Sequence, residues 1–143
     1  MTGPGPGKIP VKADVLLITR QGIVKLDPCD VYVHVKGYSR ARVTHVDIES
    51  PILSIHVEKG GVYARVYRLE EGFRLVLTKP IKLREGLTVR EIVVKWNGPS
   101  LLEPGETTVA FIGFKEGGIY VGFKKNVMVR LEEFARRMGV PPV

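Results

Sequence analysis

Leu83-Arg84-Glu85-Gly86-Leu87-Thr88-Val89-Arg90-Glu91-Ile92-Val93-Val94-Lys95-Trp96 is the stretch from which the rest of the chain is best read. A turn at Gly86 leads into about ten residues of β-formers that carry apolar side chains on both faces, as a strand within a packed sheet does. Leu87 and Val89 share one parity, whereas Ile92, Val94 and Trp96 share the other. The charged pair Arg90-Glu91 stands at the switch, so the spacing predicts a β-bulge there and a buried Trp96.

Outward from this stretch the chain reads as more strands. Val15-Leu16-Leu17-Ile18 is apolar on both parities, and residues 23–26 follow a turn at Gly22. Asp27-Pro28-Cys29-Asp30 predicts a turn, after which Val31, Val33 and Val35 alternate with Tyr32, His34 and Lys36. Residues 42–48 and 53–58 form two further candidate strands, broken at Ser50-Pro51. Lys59-Gly60-Gly61 predicts a hairpin into residues 62–69, and Glu70-Glu71-Gly72 leads on to residues 73–78. Beyond Trp96, a Gly/Pro loop over residues 97–106 precedes strands at 107–114 and 119–124, with a hairpin at Lys115-Glu116-Gly117-Gly118 between them.

The two ends read differently. Residues 1–12, with Gly3-Pro4-Gly5-Pro6-Gly7, predict a flexible tail. Near the C-terminus, Asn126 is a candidate N-cap, and Val127, Leu131, Phe134 and Met138 recur at helical offsets. Glu132 and Glu133 stand four residues before Arg136 and Arg137, and Gly139 and Pro141 follow. This predicts a helix over residues 127–138, lying with its apolar stripe on the sheet. The fold expected is therefore a single all-β domain over residues 13–143, a mainly antiparallel sandwich or closed barrel of nine or ten strands, with one C-terminal α-helix.

A leucine followed by a Pro or Gly turn precedes a strand three times, in Leu26-Asp27-Pro28-Cys29-Asp30, Leu83-Arg84-Glu85-Gly86 and Leu102-Glu103-Pro104-Gly105-Glu106. These turns resemble those at strand entries in immunoglobulin-like β-sandwiches, and no family is named on them. Their uneven spacing does not fit a solenoid or propeller.

At 143 residues, 44% apolar and 26% charged, the composition is that of an ordinary globular domain. The longest uncharged apolar runs are far too short for a membrane-spanning helix, and Gly and Pro occupy the place of a signal peptide's apolar core. A cytoplasmic location is expected, with which the lone Cys29 agrees. One Gln and two Asn among abundant Lys, Arg and Glu resemble the balance of hyperthermophile proteins. The net charge of +7 favours acidic partners, nucleic acid among them, although the basic residues form no dense run.

No phosphate-binding loop, Gly-x-Ser-x-Gly elbow, His-Glu-x-x-His or cysteine pair is present. What remains are two constellations. His34, His45 and His56 recur every eleven residues on the polar parity of predicted strands, with Asp47 and Glu58 nearby. A turn centred between Ser39 and Arg40 would set His34 opposite His45, and such a row suits a divalent metal. The second constellation is Tyr63, Arg65, Tyr67, Arg74, Tyr120 and Lys124, all on outward parities. Rings interleaved with cations suit single-stranded nucleic acid, and tyrosine and arginine are equally favoured at protein interfaces. Cys29, between Asp27 and Asp30, lacks the electropositive setting of a reactive thiolate.

The leading expectation is a non-catalytic binding or assembly module, without cofactor, that contacts a protein partner or a second copy of itself. Single-stranded DNA or RNA binding through the Tyr/Arg face is the alternative. A metal or small-molecule site at the histidine row is the third reading.

Overall fold

In a computed structural model, residues 7–37, 39–50, 61–83, 86–96, 98, 100–115, 117–130, 133, 134 and 136 are described. Their eight elements are all strands: β1 (Gly7–Thr19), β2 (Gly22–Gly37), β3 (Arg40–Glu49), β4 (Gly61–Leu69), β5 (Gly72–Lys82), β6 (Thr88–Trp96), β7 (Thr107–Lys115) and β8 (Gly118–Arg130). Every pairing is antiparallel, and the order β1-β2-β3-β8-β7-β4-β5-β6 closes when β6 returns to β1. Of the two architectures open to the sequence, the chain adopts the closed barrel.

An eight-stranded ring leaves an interior just wide enough for side chains to fill. Val15, Leu17, Val46, Ile48, Phe73, Leu75, Ile92, Ile112, Ile119 and Val121 point inward and are buried. Phe73 packs edge-on against Trp96 at 5.3 Å between ring centroids, and against Phe123 at 6.4 Å. Leu101 and Leu102, in the loop after β6, are also buried. That loop is pinned to the barrel by Ser100 Oγ donating to the Gly72 carbonyl (2.9 Å) and Arg68 Nε donating to the Leu102 carbonyl (3.1 Å).

The charged side chains of Lys12, Arg42, Arg65, Arg74, Arg90 and Lys95 stand on exposed positions that alternate with buried ones. This is the inverse of the lipid-facing apolar band of a membrane-spanning barrel. Among the described residues no helix is long and apolar enough to cross a membrane.

The bulge in β6 lies where the parity switch put it. Ile18 pairs with Glu91 and Thr19 with Val89, so Arg90 is the extra residue, and both Val89 and Ile92 are buried. Trp96 is buried too, at 3% exposure. The turn before β6 is closed by Leu83 N donating to the Leu87 carbonyl (2.8 Å), with Gly86 at φ +82°. That conformation has little steric cost without a Cβ.

Several expectations are corrected. β1 begins at Gly7, so residues 7–12 of the expected tail pair with β2. Pro10 is accommodated because β1 pairs with β6 only from Ala13 onward, leaving the earlier half as an edge. Asp27-Pro28-Cys29-Asp30 is not a turn: it lies within β2, where Ala13 pairs with Cys29 and Val15 with Leu26. Two residues, Asp27 and Pro28, thus oppose Asp14 in a bulge, and Cys29 is buried rather than displayed. Joining these segments gives eight strands instead of nine or ten among the described residues; the candidate strand at 53–58 lies outside them.

The C-terminal helix is not supported. Residues 127–130, its expected first turn, continue β8 and pair with residues 40–43 of β3. Val127 and Val129 are β-formers that also alternate, and a neighbouring strand edge satisfies their backbone groups, which outweighs a helical period resting on four apolar positions. Beyond Arg130 only Glu133, Phe134 and Arg136 are described, with helical backbone, too few to make an element.

Two stability outcomes follow. Deleting Arg90 removes the residue that lets Val89 and Ile92 both face inward, and should cost at least about 3 kcal/mol in denaturant unfolding. Thr108 Oγ1 is buried without a hydrogen-bond partner among the described residues, so Thr108→Val should raise stability by about 1 kcal/mol.

Candidate functional site

The register of the barrel builds one outer face from both constellations. Lys8, His34, His45, Gly122, Phe111 and Tyr63 are successive partners across β1, β2, β3, β8, β7 and β4. Two residues along, Pro10, Tyr32, Asp47, Tyr120, Gly113 and Gly61 form the adjoining row on the same side. Side chains two apart on a strand share a face, so these rows make a continuous belt around part of the barrel wall.

Glycine gives the belt its floor. A Cβ at Gly122 would lie 2.7 Å from both Cε1 and Oη of Tyr120, and one at Gly61 would collide with Cζ of Phe111 and with the Ile112 carbonyl oxygen. The two rings therefore lie over bare backbone, where any larger residue would lift them. Tyr63 packs edge-on against Phe111 at 5.5 Å, and the Lys124 ammonium stands 5.5 Å over the Tyr63 ring. Tyr63 and Tyr120 remain exposed, at 47% and 37%.

At the other end of the belt the two histidines meet. A turn shorter than expected would have offset them, but an extra residue, Thr44, restores the register: Val35 pairs with Val43 and His34 with His45. Their rings stack at 3.9 Å between centroids and 15° between planes, and the Tyr120 ring lies 5.2 Å from His45. Asp47 is diagonal to His34 and two residues from His45. Its Oδ2 lies 2.9 Å from His34 Nε2 and 3.6 Å from His45 Nε2, while Lys115 Nζ reaches Oδ1 at 3.2 Å.

Thr44 Oγ1 donates to the His34 carbonyl (3.3 Å) and lies 3.0 Å from His45 Nδ1. Burial first and the neighbouring His34 second hold the His45 pKa below its ordinary value; Asp47 opposes them. His56 and Glu58 lie outside the described residues.

The Tyr/Arg constellation is brought together in part. Tyr67 pairs with Arg74, whose guanidinium lies 5.8 Å from the ring centroid, but Arg74 is also ion-paired to Glu91 at 2.5 Å. Arg65 is exposed between Tyr63 and Tyr67. Tyr120 and Lys124 sit two strands away on β8, with Phe111 bridging to Tyr63. Sequence reasoning passed over Phe111, Lys115, Thr44 and Gly122. Phe111 was legible from the alternation of residues 107–114, whereas the others depend on cross-strand register.

A separate open cleft, lined by Lys12, Asp14, Pro28, Glu71, Lys95 and Trp96, lies beside the β2 bulge. There Lys12 is ion-paired with Asp30, which raises its pKa. No family model, curated protein or solved structure matches this chain.

The His45 shift has a defined sign. A histidine whose folded pKa is depressed stabilises the fold above its unfolded value near 6.5, and that contribution is lost as the pH falls through the folded pKa. His45 should titrate below the ordinary histidine range by NMR. His45→Gln should remove part of the stability loss seen between neutral pH and about pH 5.

Proposed function

We propose that the protein is a non-catalytic binding module that docks an acidic protein surface on the outer face of β8, β7 and β4. The observation that carries this reading is the run of Tyr120, Phe111 and Tyr63, laid over Gly122 and Gly61 and joined by ring contacts. Flat, pre-positioned aromatic rings lose little conformational freedom on binding and are enriched at interface centres. Lys124 and Arg65 flank them on a chain of net charge +7, which sets the sign of the partner. A second copy would bring like charges together, which disfavours self-association through this face.

Single-stranded nucleic acid is the second reading, favoured by Lys124 standing over the Tyr63 ring. Against it, Glu91 occupies Arg74, and Asp47 places a carboxylate within the belt. Asp47 on β3 and Glu91 on β6 lie to either side of this face, so a phosphate path extending beyond it would meet a carboxylate.

The test pairs affinity capture with oligonucleotide binding. A specific acidic protein retained by wild type at moderate salt should be lost by Tyr63→Ala, with about 30-fold weaker binding or more if the ring is central to the interface. Mixed single-stranded oligonucleotides should not compete. Oligonucleotide binding that falls steeply with salt and is lost in Tyr63→Ala would replace this reading with the nucleic-acid one.

A further inference from the structure

The histidine end of the belt has a chemistry that protein docking does not use. Three donor atoms, one each from His34, His45 and Asp47, lie within 4.8 Å of one another. We propose that Nε2 of His34, Nε2 of His45 and Oδ2 of Asp47 bind a divalent transition-metal ion of the zinc class.

Hydrogen bonding alone does not satisfy this cluster. His34 Nε2 stands 2.9 Å from Asp47 Oδ2. His45 Nε2 stands 3.6 Å from the same oxygen, too far for a hydrogen bond. Its tautomer is set from behind. Both Thr44 contacts are hydrogen bonds only when its proton goes to the His34 carbonyl and its oxygen accepts from His45 Nδ1–H, the tautomer that leaves a lone pair on His45 Nε2. That nitrogen then stands 3.6 Å from a carboxylate oxygen with no proton between them, a repulsion that a bound cation relieves.

The spacing suits such an ion. Bonds of about 2.0–2.1 Å in tetrahedral geometry put neighbouring donors roughly 3.3 Å apart, between the two distances observed. Two imidazoles and a carboxylate are borderline ligands that select zinc-class ions over magnesium or calcium. The supporting groups are also present. Thr44 orients His45, and Lys115 engages Asp47 Oδ1, leaving Oδ2 for the metal. The ligand side chains keep 21–28% exposure, so an ion can reach them from solvent.

Tag-free protein stripped with chelator and titrated with zinc chloride by calorimetry should bind one Zn²⁺ per chain. His45→Ala and Asp47→Asn should each weaken binding by at least about 100-fold, and Thr44→Val by about 10-fold. Circular dichroism of each variant checks the fold. Wild-type protein with ¹⁵N-labelled histidine gives a reading free of mutation: Zn²⁺ should shift the Nε2 signals of His34 and His45 while His45 Nδ1 stays protonated. No saturable binding at about 100 µM Zn²⁺, or unmoved Nε2 signals, would overturn the proposal. So would undiminished binding by folded His45→Ala, which would put the ion on other donors.

Discussion

The ladder between β1 and β6 is the constraint on which the structure depends. Pairing residues 13–19 with residues 89–96 turns a curved sheet into a ring, and a ring fixes which side of every strand faces inward. Period-two alternation must then hold all the way round. Where the chain carries an extra residue, it is absorbed in a bulge: Arg90 in β6, Asp27-Pro28 in β2 and Thr44 in β3. Each preserves the burial of residues on either side while bending its strand, as a closed barrel requires.

The same register disposes the outer face. Asp47 is the shared counter-charge of its end, approached by His34, His45 and Lys115, so its position determines how the local charges balance. At the aromatic end electrostatics matters less than shape. Glycine supplies the depressions and Tyr120 and Phe111 fill them, so the strands' twist is covered by rings instead of long mobile chains. A bulge that serves the interior thereby also aligns two imidazoles on the exterior.

How far the sequence could be read depended on whether a feature was local. The bulge in β6 was visible because Val89, Ile92, Val94 and Trp96 change parity within one strand. The pairing of His34 with His45 followed from a hairpin sum, although the true turn is tighter and Thr44 makes up the difference. Asp27-Pro28 misled because proline and aspartate favour turns as strongly as they mark bulges, and only the partner strand distinguishes the two. Residues 127–130 carried both a helical and a strand pattern, and the free edge of β3 decided between them. The meeting of the histidines with Tyr120 was not legible, because it depends on β8 returning beside β3 across more than seventy residues of chain.

That long return has a further consequence. Lys8, His34, His45, Gly122, Phe111 and Tyr63 are consecutive in space but scattered along the chain, so no peptide cut from the sequence reproduces the belt. It is a conformational epitope. Any molecule that recognises it reads the closed ring itself, and its binding free energy adds to the work of opening the barrel.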